Sequence, residues 1–143
     1  MDPLLDKNQM ETDMLDEVDG LRSVGETFLQ ALANRDFEAL RACMRPEINF
    51  RALVPPGVRR ATDASGAVNR LRLWFGEADS FEMLRTEIGQ IADRLSITYR
   101  IRLHDSDGWQ VIEQRLHCNV GDDGRIGILD LLCSGFLPEQ PHP

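Results

Sequence analysis

The stretch RLSITYRIRLHDSDGWQVIEQRLHCNV (Arg94–Val120) decides the fold. Leu95, Ile97, Tyr99, Ile101 and Leu103 fall on every second position, the period of a strand with one buried face. Asp105-Ser106-Asp107-Gly108 then interrupts the alternation. Its Asp and Ser side chains can bond their own backbone, and Gly tolerates left-handed geometry, so the segment turns. Alternation resumes with Ile112, Gln114, Leu116, Cys118 and Val120. The segment is a hairpin.

Two further turns flank it, Ile91-Ala92-Asp93-Arg94 and Gly121-Asp122-Asp123-Gly124. The strand before the first carries Leu84, Thr86 and Ile88 in phase; the strand after the second carries Leu129, Leu131 and Cys133. Folding at these turns sets Thr86 opposite Tyr99, Tyr99 opposite Gln114 and Gln114 opposite Leu131. On the other face Arg100 meets Glu113, and Arg115 meets Asp130, while His117 points outwards near Ser96. A one-residue slip would invert every side chain, so apolar matching on one face and charge matching on the other support one meander.

Upstream, Val18, Leu21, Val24, Phe28 and Leu32 recur at helical spacing from Met14, and Asn34 ends the run. Asp36 caps a second helix carrying Phe37, Leu40 and Met44, stopped by Pro46. Ile48, Phe50, Ala52 and Val54 alternate with Asn49, Arg51 and Leu53 as a strand that Pro55-Pro56-Gly57 ends. A third helix starts near Thr62 or Asp63 and buries Val68, Leu71 and Trp74 or Phe75. The expected class is α+β: a curved antiparallel sheet on three helices from the first half of the chain.

With 143 residues the chain is one domain, and its formal charge of −8 is unevenly spread. Asp2, Asp6, Glu11, Asp13, Asp16, Glu17 and Asp19 face only Lys7 in residues 1–19. This stretch reads as an acidic, disordered or frayed tail. The domain proper runs over 20–137, and 138–143 is a Pro-rich tail. Without a clustered basic face, no nucleic-acid partner is expected; Arg59-Arg60 and Arg70/Arg72 read as solvated charges. No apolar run is long enough to span a membrane, and no signal peptide is evident, so a cytoplasmic location is expected. Cys43, Cys118 and Cys133 form no CxxC motif and read as buried thiols. His104, His117 and His142 lack partners at metal spacing, and no glycine-rich phosphate loop exists, so neither metal nor cofactor is expected.

"FLQALANRDFEALRACMRPEINF" (Phe28–Phe50), the Thr62–Phe75 helix and "DGRIGILDLLCSGF" (Asp123–Phe136) resemble the nuclear transport factor 2-like superfamily, which includes ketosteroid isomerases and polyketide-cyclase (SnoaL-like) proteins. The resemblance implies a cone: a sheet curled around helices, enclosing a pocket, with dimers commonly formed through the sheet. The isomerases' oxyanion-hole tyrosine, general-base aspartate and second oxyanion-hole acid map to Phe28, Ala52 and Leu116, and the aspartate of cyclases and epoxide hydrolases maps to Leu131. All four positions are apolar, so the family's usual base is missing.

The expectation is a cofactor-free, homodimeric protein binding a small, mainly apolar molecule. Thr86, Tyr99 and Gln114 would supply polarity, and Phe28, Ala52, Trp74, Leu116, Leu129 and Leu131 the wall. Two alternatives remain. One is an isomerase, cyclase or hydrolase with Tyr99 as acid and Asp130 as base, which needs Asp130 to point inwards. The other is a dimeric interaction module with its cavity filled.

Overall fold

The computed structural model describes residues 20–139, so the expectations for the acidic stretch, the helix start at Met14 and the tail carrying His142 lie outside the described residues. The elements run α1 (described over residues 20–33), α2 (Phe37–Ala42), β1 (Met44–Val54), β2 (Gly57–Ala61), α3 (Ala64–Phe75), β3 (Ser80–Ile91), β4 (Arg94–Asp105), β5 (Gly108–Val120), β6 (Ile126–Cys133) and β7 (Leu137–Pro138). They form an α+β cone: a curved sheet in the order β2-β1-β6-β5-β4-β3, with β7 added to β5 and the helices against its concave face.

The Asn34-Arg35-Asp36 junction shows how local chemistry places the helices. Arg35 takes a left-handed φ of 48°, and the Asp36 side chain caps α2 by accepting from Ala39 N at 3.1 Å. The Arg35 guanidinium donates to the Phe75 and Ala78 carbonyls at 3.1 and 2.6 Å. It thereby satisfies orphan carbonyls past the end of α3 and fixes α3 to the α1–α2 corner. Asp63 caps the other end of α3, accepting from Gly66 N at 2.6 Å.

The three turns of the meander stand where the sequence puts them. Thr86 pairs with Tyr99, Tyr99 with Gln114, and Arg100 with Glu113. The β5–β6 register differs from expectation by two residues. Gln114 lies opposite Cys133, Leu131 opposite Leu116, and Asp130 opposite His117 rather than Arg115. The connection closes with five residues, Gly121 N donating to Arg125 O, so Val120 pairs with Ile126, and a bulge beside Val120 takes up one more. Two extra residues conserve the face of every side chain, because the pleat repeats every two.

Four other points differ from expectation. Met44 belongs to β1, not to the second helix, which ends at Ala42 well before Pro46. Pro55-Pro56 ends β1 at Val54 as expected, but Gly57 already opens β2, an unanticipated strand whose short, charged sequence hides its strand character. Leu84 is the extra residue of a bulge between Met83 and Arg85 and is exposed. Thr86 shares the concave side with Tyr99 by register yet is exposed, because β3 is the free edge of the sheet.

One core fills the concave side. It joins Phe28 and Leu32 of α1, Val68, Leu71 and Phe75 of α3, and the inward residues of β1, β4, β5 and β6. Replacing Asp63 by Ala should lower stability by about 1 kcal/mol, since an unpaired cap leaves a helix N–H without its acceptor. Urea unfolding followed by circular dichroism measures this.

Candidate functional site

The cone interior carries a single polar tier. Tyr99 on β4 and Gln114 on β5 are neighbours across the hairpin and almost wholly buried. The Tyr99 hydroxyl donates to Gln114 Oε1, and Gln114 Nε2 donates to Cys133 Sγ at 3.3 Å. No buried side-chain nitrogen or oxygen lacks a partner among the described residues. Thr86 stands at the open edge and has no hydrogen bond to this chain of groups among the described residues.

The expected wall is assembled from distant parts of the chain. Phe28, Ala52, Leu116, Leu129 and Leu131 are buried in the one core that holds Tyr99. Trp74 is half-buried at its margin, edge-on to Phe75 at 6.2 Å. The interior thus has no carboxylate at Phe28, Ala52, Leu116 or Leu131.

Burial shapes the acid–base chemistry. It pushes the Tyr99 phenol well above its ordinary value, and the nearby thiols Cys133 and Cys118 raise it further. A phenol so placed donates a hydrogen bond but does not release its proton near neutrality. Burial also pushes the Cys118 thiol up to about 12, with Arg94 opposing and Asp130 assisting. All three cysteines are buried and unbridged.

Asp130 lies on the convex side, away from Tyr99. Its Oδ1 is 3.1 Å from Arg51 Nη2 and its Oδ2 is 3.1 Å from Arg94 Nη2. The structure therefore does not bring the two candidate catalytic groups together. The convex side instead carries an apolar row that sequence reasoning missed. Val58, Leu53 and Leu132 lie directly across β2, β1 and β6, and are 46%, 53% and 55% exposed. The signal was present: Leu53 and Leu132 occupy the polar phase of their strands, where a leucine has no core to fill. A cleft of about 460 Å³ lies over this row. A second cleft of about 420 Å³, between α2 and the start of α3, sets Arg41 and Arg125 beside Glu38 and Asp63 and touches none of the interior tier. Among the described residues no group of three His, Cys, Asp or Glu could hold a metal ion, and no helix is long and apolar enough to cross a membrane.

This architecture is the nuclear transport factor 2-like (SnoaL-like) cone fold. Solved structures share it at low identity. An epoxide hydrolase of M. tuberculosis is 19% identical, with 81% of this chain and 84% of that chain covered at a TM-score of 0.61. Bal32a, from a soil-derived mobile gene cassette, is 10% identical, with 83% and 92% covered at 0.69. TerC, co-crystallised with polyporic acid, is 12% identical, with 78% and 89% covered at 0.61. No protein-family model matches the sequence, and no curated protein matches it.

Two predictions follow from the buried groups. Tyr99→Phe leaves Gln114 Oε1 buried without its donor and should cost about 1–3 kcal/mol, whereas adding Gln114→Leu should recover part of that loss; a double-mutant cycle in urea reads the coupling. The Cys118 thiol has its folded value raised from 9.0 to about 12. Its contribution to stability is therefore complete below pH 9 and declines as pH rises towards 12. Cys118→Ala should show a shallower alkaline loss of stability than the parent, measured as the urea midpoint against pH.

Proposed function

We propose that this chain is a cytoplasmic, homodimeric interaction module of the nuclear transport factor 2-like fold, joined through the convex face of its sheet around residues of a single 20–137 domain. The observation that carries this reading is the contrast between the two faces. Inside, Tyr99 and Gln114 partner each other, and the four positions mapped from the family resemblance, Phe28, Ala52, Leu116 and Leu131, are apolar. Outside, Val58, Leu53 and Leu132 form a contiguous apolar row bordered by ion pairs, the composition of an interface centre with a polar rim. Three unbridged thiols suit a reducing compartment. The reading assigns no reaction.

Sedimentation velocity tests it. The parent should sediment as a dimer at micromolar concentration, and Leu53→Asp should weaken the dimer at least about tenfold, the effect of one central contact worth more than 1 kcal/mol. Leu53 is exposed, so the variant should keep its circular dichroism. A monomeric parent at 100 µM, a concentration chosen at roughly a hundred times the micromolar range of weak specific pairs, would reject the reading.

One observation favours a second reading, a binder of small apolar molecules within the cone. Gln114 Nε2 has two hydrogens, and the partner it has is a thiol sulfur, a weak acceptor. A ligand carbonyl or hydroxyl would satisfy the amide better, and TerC shows that a protein of this fold has been co-crystallised with an organic acid. Native mass spectrometry of protein purified from its own host distinguishes the two readings. A retained small molecule, released more readily by Tyr99→Phe, supports the binder, and bare dimer mass supports the module.

A further inference from the structure

Beside the apolar row, the convex face has a groove of about 390 Å³ whose charges are out of balance. Arg51, Arg60 and Arg94 line it against one carboxylate, Asp130, with Asn49 and Asn119 as neutral donors or acceptors. Asp130 already spans Arg51 and Arg94. Arg60 stands directly across from Arg51 in the β1–β2 ladder and has no carboxylate within ion-pair distance among the described residues. Like charges facing each other across strands are destabilising, so the pair is a feature that an anionic group relieves.

The chain as a whole is strongly acidic, at −8, and would repel a nucleic acid or an anionic membrane from a groove with so few arginines. The excess acid is not spread evenly: seven carboxylates and one lysine occupy residues 1–19. Position makes them available. Gly25 of α1 abuts Ile88, and Ser23, Val24 and Thr27 share a cleft with Gly124. The described part of α1 therefore starts near the rim that bears the β3–β4 and β5–β6 turns, the same rim on which Arg94, Asn119 and Ile128 end the convex face. Nineteen residues reach at most about 65 Å, and one sheet layer is about 10 Å thick, so the chain is long enough to cross the rim.

We infer that the acidic segment of residues 1–19 docks in the arginine groove of its own copy, its carboxylates supplying the counter-charge that Arg60 lacks. The inference does not rest on the dimer: the groove shares Arg51, Arg60 and Asp130 with the cleft over the apolar row, but none of Leu53, Val58 and Leu132 lines it.

Paramagnetic relaxation in the full-length chain tests it. A nitroxide on Met10→Cys is selective, because the native thiols are buried. In ¹⁵N-labelled protein at low salt, the amides of Asn49, Asn119 and Ile128 should broaden at least twofold more than those of α3. The broadening should fall on adding 0.5 M salt, a level about where the Debye length shrinks to a few ångströms. It should fall likewise in Arg60→Gln and in the independent double variant Asp16→Asn/Glu17→Gln, and persist on tenfold dilution with unlabelled, spin-free protein. Uniform broadening, broadening indifferent to salt and to both variants, or broadening that vanishes on dilution would each overturn the inference. Sedimentation of the same samples reports separately on the dimer.

Discussion

The parallel pairing of β1 with β6 is the constraint on which the rest depends. Phe50 lies beside Leu129 and Ala52 beside Leu131, joining residues about eighty apart in sequence. Without that ladder the helices and the meander are two half-structures, each with an uncovered apolar face. With it, the sheet continues from β2 to β3 and curls round α1 and α3, and one core forms. The cost of bringing distant segments together grows only with the logarithm of the loop, so the many buried side chains that the pairing seals outweigh it.

The same pairing explains which parts of the fold the sequence discloses. Local turn chemistry and alternation were enough for the three hairpin turns and for the facing of Thr86, Tyr99 and Gln114. Turn length and bulges were not legible, so β6 slid by two while each side chain kept its side. β2 escaped notice because an exposed edge strand has no core-facing alternation to reveal it; Val58-Arg59-Arg60 reads like a loop. Tyr99 and Gln114 were found by their polarity on an apolar face. Thr86 was misjudged because exposure at a free edge depends on what covers the edge, which no single strand encodes. The convex row was missed for the related reason that Leu53 belongs to it only once β2 and β6 flank β1.

Charge and apolarity are distributed in opposite senses across the sheet. Among the described residues, the buried hydrogen-bonded tier of the concave side is Tyr99, Gln114 and the Cys133 sulfur, joined in one chain. The convex side exposes leucines beside arginines. Low-dielectric burial makes an unpaired group costly, so the inner side must close on itself, while the outer side can leave both valence and area for another surface. Asp130 illustrates the division: one residue away from a buried wall position, it spends both oxygens on outward arginines.

Tyr99 is the single tyrosine of the chain, and it is completely enclosed. Burial holds the phenol protonated well above its ordinary value, so the ultraviolet band of a phenolate reports molecules whose core has opened. Above the ordinary phenol pKa of about 10, the molecule carries a built-in optical clock for global opening, free of the background that surface tyrosines give in other proteins.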